Sequence, residues 1–203
     1  MIFNEVITER KLIAFTFDDG PRPEWTPLFL DVFRKHDAKA TFFVMGSHIE
    51  QYPDIAKRIY EEGHELGNHT YSHPSLPELG KEQQIEELER TDRLISEVTG
   101  SRPSTFRPPY LAVNDDLLEV SAQFGYSVIH AVNLDSRDWD TVDADHIVTT
   151  SRAHVHNGSI LIYHDGFGDR SQTLAAISIL VPELIAAGYE LVTVSELLAS
   201  ASR

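Results

Sequence analysis

The sequence predicts an α/β domain in which a parallel sheet, closed as a barrel or left open, carries helices on its outer face. Three observations lead there. Short β-branched apolar runs alternate with segments of helical period along the chain. No internal repeat, low-complexity tract or Pro/Gly/Ser-rich linker divides the 203 residues, so one domain is expected. The polar clusters fall directly after the apolar runs, where parallel α/β folds gather their functional groups. In order, strands are predicted at 12–17, 40–44, 65–68, 105–107, 127–131, 159–163 and 190–194. Helices are predicted at 25–35, 55–62 and 85–98, the last ending at Thr99-Gly100, then from the caps Asn114 and Asp115 to 124, and at 174–187 before Gly188. The clusters 18–20, 69–73, 107–110, 135–139 and 164–166 then share one mouth at the carboxyl edge of the sheet.

Composition narrows the chemistry. A hydrophobic fraction of 41% against 24% charged residues is enough to bury a core. No stretch approaches the roughly 18 apolar residues of a spanning helix, so no membrane partner is expected. Residues 1–11 carry charges and no apolar run, which predicts a cytoplasmic protein as the chain stands, or an extracellular or cell-wall protein if a leader was removed. Without cysteine there are no disulfides and no thiolate ligands, so any metal must be held by nitrogen and oxygen. A net charge of −15, from 17 basic and 32 acidic residues, argues against nucleic acid and anionic membranes and for a neutral or cationic substrate.

Within the clusters, His69 and His73 stand at i and i+4, a spacing that in a helical turn brings both imidazoles to one face, where they can share an ion. Catalytic zinc usually takes three protein ligands and leaves a position for water, so a carboxylate is needed from elsewhere. Asp18 and Asp19 follow the first strand. Because neighbouring strand residues point to opposite faces, one of them is expected at the metal and the other at the water. An isolated histidine pair or Asp-Asp-Gly turn would not suffice; their joint placement after predicted strands does.

The runs Thr16-Phe-Asp-Asp-Gly-Pro21, His69-x-x-x-His73, Arg107-Pro-Pro-Tyr110, Asp135-Ser-Arg-Asp-Trp139 and Ile160-Leu-Ile-Tyr-His164-Asp165 resemble, in order, the five motifs of the NodB-like polysaccharide deacetylases, carbohydrate esterase family 4. The resemblance implies a single domain over 1–203 with a motif-bearing core at 11–198, folded as a distorted (β/α) barrel. It implies one divalent metal ion, zinc first and cobalt, nickel or manganese next, on Asp19, His69 and His73. Asp18 resembles the general base, and Arg107 the arginine that holds it. His164 resembles the general acid, and Asp138 the carboxylate that orients it, with Asp135 as the less favoured candidate. The residue matching Tyr110 offers a backbone N–H to the developing oxyanion, and Trp139 and Ile162 resemble apolar walls around the acetyl methyl group. Where the family often has glycine after the third motif, this chain has Leu111-Ala112-Val113, which alters one groove wall. The remaining histidines, His48 and His64 among them, have no motif support and are read as structural or solvent-facing.

The expected partner is therefore an acetylated carbohydrate. N-deacetylation of N-acetylglucosamine units of chitin or peptidoglycan type comes first and acetylxylan O-deacetylation second. A small cyclic amide hydrolase on the same fold is disfavoured by the intact Asp18, and a catalytically silent carbohydrate-binding module by the joint retention of ligands, base and acid. A glycosidase using Asp18 and Asp19 is weaker still, since strand neighbours diverge.

Overall fold

The computed structural model describes residues 1–201. Its strands are β1 (Ile2–Phe3), β2 (Leu12–Asp18), β3 (Thr41–Val44), β4 (Glu65–Asn68), β5 (Thr105–Phe106), β6 (Ser127–Ile129), β7 (Ile160–His164) and β8 (Glu190–Leu191). Its helices are α1 (Thr26–Lys35), α2 (Gly46–Gln51), α3 (Pro53–Glu61), α4 (Lys81–Thr99), α5 (Asp115–Phe124), α6 (Ala144–Ala153), α7 (Ser171–Ala186) and α8 (Val194–Ala199). All strand pairings are parallel, in the order β1-β6-β5-β4-β3-β2-β7, with β8 added to the start of β2. None of the helices among the described residues is long and apolar enough to cross a membrane.

β2 is buried at every position, as a central parallel strand covered on both faces requires. Its odd residues Ile13, Phe15 and Phe17 pack outward with Phe29 and Phe33 of α1 and with α7. Its even residues face inward: Leu12 and Ala14 pack with Phe43, Ile129 and Ile160, while Thr16 and Asp18 meet the side chain of Arg107. The barrel interior is thus apolar at the base and polar toward the carboxyl ends. The sheet curls until β6 and β7 approach, but no regular ladder joins them. Val132 N donates to Ile160 O at 3.0 Å. The Asn133 side chain then accepts from Ile162 N at 2.8 Å and donates to Ile162 O at 3.2 Å, in the place of a neighbouring strand. The result is a distorted (β/α) barrel.

The predicted strands and the long helices are found within a few residues, and the glycine stops hold: Gly100 ends α4 at φ 78°, and Gly188 follows the end of α7 at φ 87°. The prediction at 190–194 ran too far. Thr193 instead closes a capping box with Glu196 and starts α8. β1, α2 and α6 were not predicted. β1 has two residues and α2 six, too few for a period, and α6 is rich in β-branched Ile, Val and Thr that lower helix propensity. Its start is secured by the Asp143 side chain, which accepts from His146 N at 2.8 Å.

His64 is buried at 4% exposure between the rings of Phe33 and Phe42, its Nδ1 accepting from Ala40 N at 3.1 Å. Burial first, then the charges of Lys39 and Arg58, lower its pKa to about 4. The unfolded chain therefore takes up a proton that the fold refuses. Stability is full above the ordinary histidine value near pH 6.5 and falls as the pH drops toward 4, by up to about 3 kcal/mol. Denaturant midpoints measured between pH 7 and 4 should decline less steeply in His64→Gln, whose amide oxygen replaces the acceptor without a titration.

Candidate active site

The first carboxylates lie where β2 ends. Asp18 is its last residue, and Asp19 takes a left-handed φ of 74°. That turn corrects the expectation of opposite faces: Asp19 has left the strand alternation, and both carboxylates look into the same mouth. The turn is tight because the neighbouring strand end lies against it. A Cβ on Gly20 would fall 2.3 Å from Asp165 Oδ2, and one on Gly166 would fall 2.1 Å from Asp19 O.

His69 and His73 follow β4 in a loop rather than the helical turn that their spacing suggested. Thr70 and His73 have φ of 67° and 63°, and the loop is held by Thr70 N on Asn68 Oδ1 at 2.8 Å and His73 N on Thr70 Oγ1 at 3.1 Å. The imidazoles still converge. Asp19 Oδ1 lies 3.4 Å from His69 Nε2 and 3.1 Å from His73 Nε2. Because a carbonyl only accepts, His69 Nδ1 donates to Arg107 O at 2.6 Å, which turns Nε2 toward Asp19. Behind Asp19, His48 is buried and donates from Nδ1 to Asp19 O at 2.7 Å, a bracing role that the sequence did not signal.

The donors suit a cation. Asp19 Oδ1 is buried without any hydrogen-bond partner, and the three candidate ligand atoms lie within 4.8 Å of one another. Tetrahedral zinc with bonds of about 2.0–2.2 Å separates its ligands by about 3.3–3.6 Å, close to the spacings here. Burial alone would raise the Asp19 pKa, but the two imidazoles hold its carboxyl well below the usual range, so it stays an anion.

Asp18 is held differently. Its Oδ1 receives Arg107 Nη1 at 2.8 Å, while Oδ2 remains toward the cavity, 3.9 Å from His69 Nε2. Arg107, 0% exposed, also donates to Thr16 Oγ1 at 2.6 Å, Ile129 O at 3.2 Å and His130 O at 2.8 Å, and lies 4.4 Å over the Phe43 ring.

Opposite, His164 closes β7. Its Nδ1 meets Asp138 Oδ1 at 2.8 Å, and its backbone N donates to Asp138 Oδ2 at the same distance. Burial would lower this imidazole, but the Asp138 carboxylate, helped by Asp18 and Asp19, raises it to about 9. The less favoured Asp135 is elsewhere, on the surface against His154 Nε2 at 2.7 Å. Two further residues that the sequence reading passed over secure the pair. Thr173 Oγ1 reaches Asp138 Oδ2 at 3.2 Å, and the buried Arg170 donates to Asp138 O at 3.0 Å and Gly166 O at 2.8 Å. Their only signal was a polar first turn on the helix after the His164 strand. Asp165, fully buried, is pushed up to about 7 by burial, which the Thr26 hydroxyl opposes and Asp19 and Asp18 reinforce.

Asp18, Asp19, His69, His73, Tyr110, Trp139, Ile162 and His164 all line one cavity of about 880 Å³, and Arg107 and Asp138 stand behind its wall. Tyr110 has a φ of 60° and is 71% exposed, so its ring is at the rim and its backbone is turned out of the helical region.

Residues 5–129 match the family model for polysaccharide deacetylase. The chain is 39% identical, over 96% of its length and 91% of the relative's, to a peptidoglycan-N-acetylglucosamine deacetylase of Bacillus cereus. It belongs to the polysaccharide deacetylase family. A family member from Sinorhizobium fredii, a chitooligosaccharide deacetylase, is 38% identical over 87% of each chain. Among solved structures, the Bc1960 peptidoglycan N-acetylglucosamine deacetylase superposes with a TM-score of 0.90 at 30% identity, covering 98% of this chain and 93% of that one. The distorted barrel described above is the fold of these metal-dependent carbohydrate esterase family 4 enzymes.

Replacing Arg107 by Leu leaves the buried Asp18 without its counter-charge, and removal of one partner of a buried pair costs about 3–5 kcal/mol. Chemical denaturation in chelator should show a loss of that order. A loss under about 1 kcal/mol would mean that Asp18 is answered by other groups.

Proposed function

We propose that this chain hydrolyses the acetamido group of N-acetylglucosamine units in a peptidoglycan- or chitin-type saccharide, acting through the segment 11–198 with one divalent cation on Asp19, His69 and His73. The observation that carries the reading is the placement of Asp18 and His164 in one cavity with the orphaned Asp19 Oδ1 and its two imidazoles. The similarity to deacetylases of peptidoglycan and chitooligosaccharides supports the substrate class. Zinc is the first choice for an Asp-His-His set, with cobalt, nickel and manganese as alternatives. When bound, such a cation supplies Lewis-acid activation of water and of the substrate carbonyl.

The chain's own groups divide the remaining work. Asp18, with Oδ1 tied to Arg107, turns Oδ2 to the cavity and takes a proton from the attacking water. The carbonyl oxygen gains negative charge and is offered the backbone N–H of Tyr110. Trp139 and Ile162 enclose the acetyl methyl group. His164, its Nδ1 occupied by Asp138, donates from Nε2 to the departing nitrogen as the C–N bond breaks, releasing acetic acid and an amine, between which the remaining water proton passes to give acetate and ammonium. Asp18 then returns its proton to His164 through solvent.

Acetate release from chitooligosaccharides, peptidoglycan and acetylxylan, with added zinc and with chelator, tests the reading. N-acetylglucosamine substrates should be cleaved and chelator should abolish the reaction; release from acetylxylan alone would overturn it. Asp18→Asn should keep its metal while acetate release falls by about 10² to 10⁴, the range for loss of a general base, whereas His69→Ala loses metal and activity together. Metal loss in Asp18→Asn equal to that in His69→Ala would reverse the assignments.

The pH profile tests the acid. A general acid works only while protonated, so kcat/KM falls as pH rises through the His164 pKa. The limb should lie no higher than about pH 9, because a cation at Asp19 opposes the effect of the two aspartates on His164. Asp138→Asn removes the strongest upward influence and should move the limb to lower pH by at least about one unit. An unmoved limb would exclude His164 as its source.

A further inference from the structure

Phe167 is an aromatic side chain that folding does not account for. It is 46% exposed, yet its backbone takes a left-handed φ of 47°, a conformation that bulky side chains avoid. The loop that presents it is braced on both sides: Arg170 Nε donates to Gly166 O at 2.8 Å, and Trp25 Nε1 donates to Gly168 O at 3.0 Å. The ring therefore stands in a held position, lining the active-site cavity. It lies 6.0 Å from the His73 ring and 5.6 Å from the His48 ring, at the ligand end of the site. Trp139 stands at the other end, 5.5 Å from the His164 ring, and is equally 46% exposed.

Two half-exposed aromatic rings thus bracket the line from the metal ligands to the acid, in a cavity of about 880 Å³. That volume is near the top of the range of about 300 to 1,000 Å³ for small-molecule sites and exceeds what an acetamido group on one sugar ring requires. A pyranose with mostly equatorial substituents offers an apolar face of C–H groups, which an aromatic ring covers with loss of apolar surface to water. A charged or flexible side chain at the same place would not provide that face.

We infer that Phe167 is a stacking platform for a sugar next to the one that loses its acetyl group, and that it makes the enzyme prefer oligomers to single sugars. The inference rests on the proposed saccharide deacetylation and adds the specificity element. Chain-length selection is set by a residue that touches the neighbouring sugar and not the reacting atoms.

The test compares acetate release from tetra-N-acetylchitotetraose and from N-acetylglucosamine, with metal content measured in each protein. Two variants remove the ring: Phe167→Ala, and Phe167→Asn, which tolerates a left-handed backbone and keeps the loop. In both, the preference for the tetramer in kcat/KM should fall about tenfold relative to the unaltered protein, chiefly through KM, with metal retained. Phe167→Trp should restore the preference. Equal losses on both substrates, loss of metal, or an unchanged ratio would overturn the inference, and the first two would make Phe167 a packing residue for His73 and His48. If the unaltered protein releases acetate from neither saccharide nor from peptidoglycan, the proposed function itself fails; release from peptidoglycan alone, or an unchanged ratio in the variants, overturns only the platform.

Discussion

The guanidinium of Arg107 has no route to solvent, so its charge has to be answered inside the barrel. Asp18 supplies the counter-charge and Thr16, Ile129 and His130 supply acceptors, drawing side chain and backbone of β2 and β6 onto one residue at the end of β5. The Arg107 carbonyl meanwhile accepts from His69 Nδ1 and so decides which nitrogen of that imidazole faces Asp19. One buried residue therefore links the orientation of a carboxylate that faces the cavity to the tautomer of a candidate ligand. A buried ion pair is seldom a net source of stability. Here its value is positional, because Asp18 cannot turn away without stranding the Arg107 charge, nor His69 without stranding the buried Arg107 carbonyl.

Three carboxylates crowd the ends of β2 and β7, and the fold treats each differently. Asp18 is tied to a cation. Asp19 is left with an unpartnered oxygen between two imidazoles. Asp165, without a cation, is pushed up to about 7, which lets it sit behind the others without adding a full negative charge. The glycines Gly20 and Gly166 allow this crowding, since a Cβ on either would collide with Asp165 or with the Asp19 backbone. The same economy appears at His164, where one carboxylate of Asp138 holds both the imidazole and the backbone of its partner.

The apolar runs, the helix periods and the order of the polar clusters were legible in the chain because they are local patterns. Gly100, Gly188 and Asn114 announced their helix ends for the same reason. Local reasoning misled where backbone conformation departs from the regular element. The i and i+4 histidines converge through left-handed residues at Thr70 and His73, and the two aspartates share a mouth because Asp19 has left the strand. His48 and Asn133 carried no signal, and Arg170 and Thr173 only that of a polar helix start, since each acts on a partner distant in sequence.

By itself the sequence determined the class of fold, the residue types available to hold a cation without thiolate, and the loops that carry the candidate base, ligands and acid. These depend on composition and on spacing over a few residues. The tertiary structure alone decided which oxygen of Asp18 faces the cavity, which nitrogen of His69 faces Asp19, that Asp138 and not Asp135 serves His164, and that Phe167 reaches the mouth at all. The physical reason is that each is a matter of orientation between segments, and orientation is set by buried hydrogen bonds and charges that have to be satisfied across the barrel.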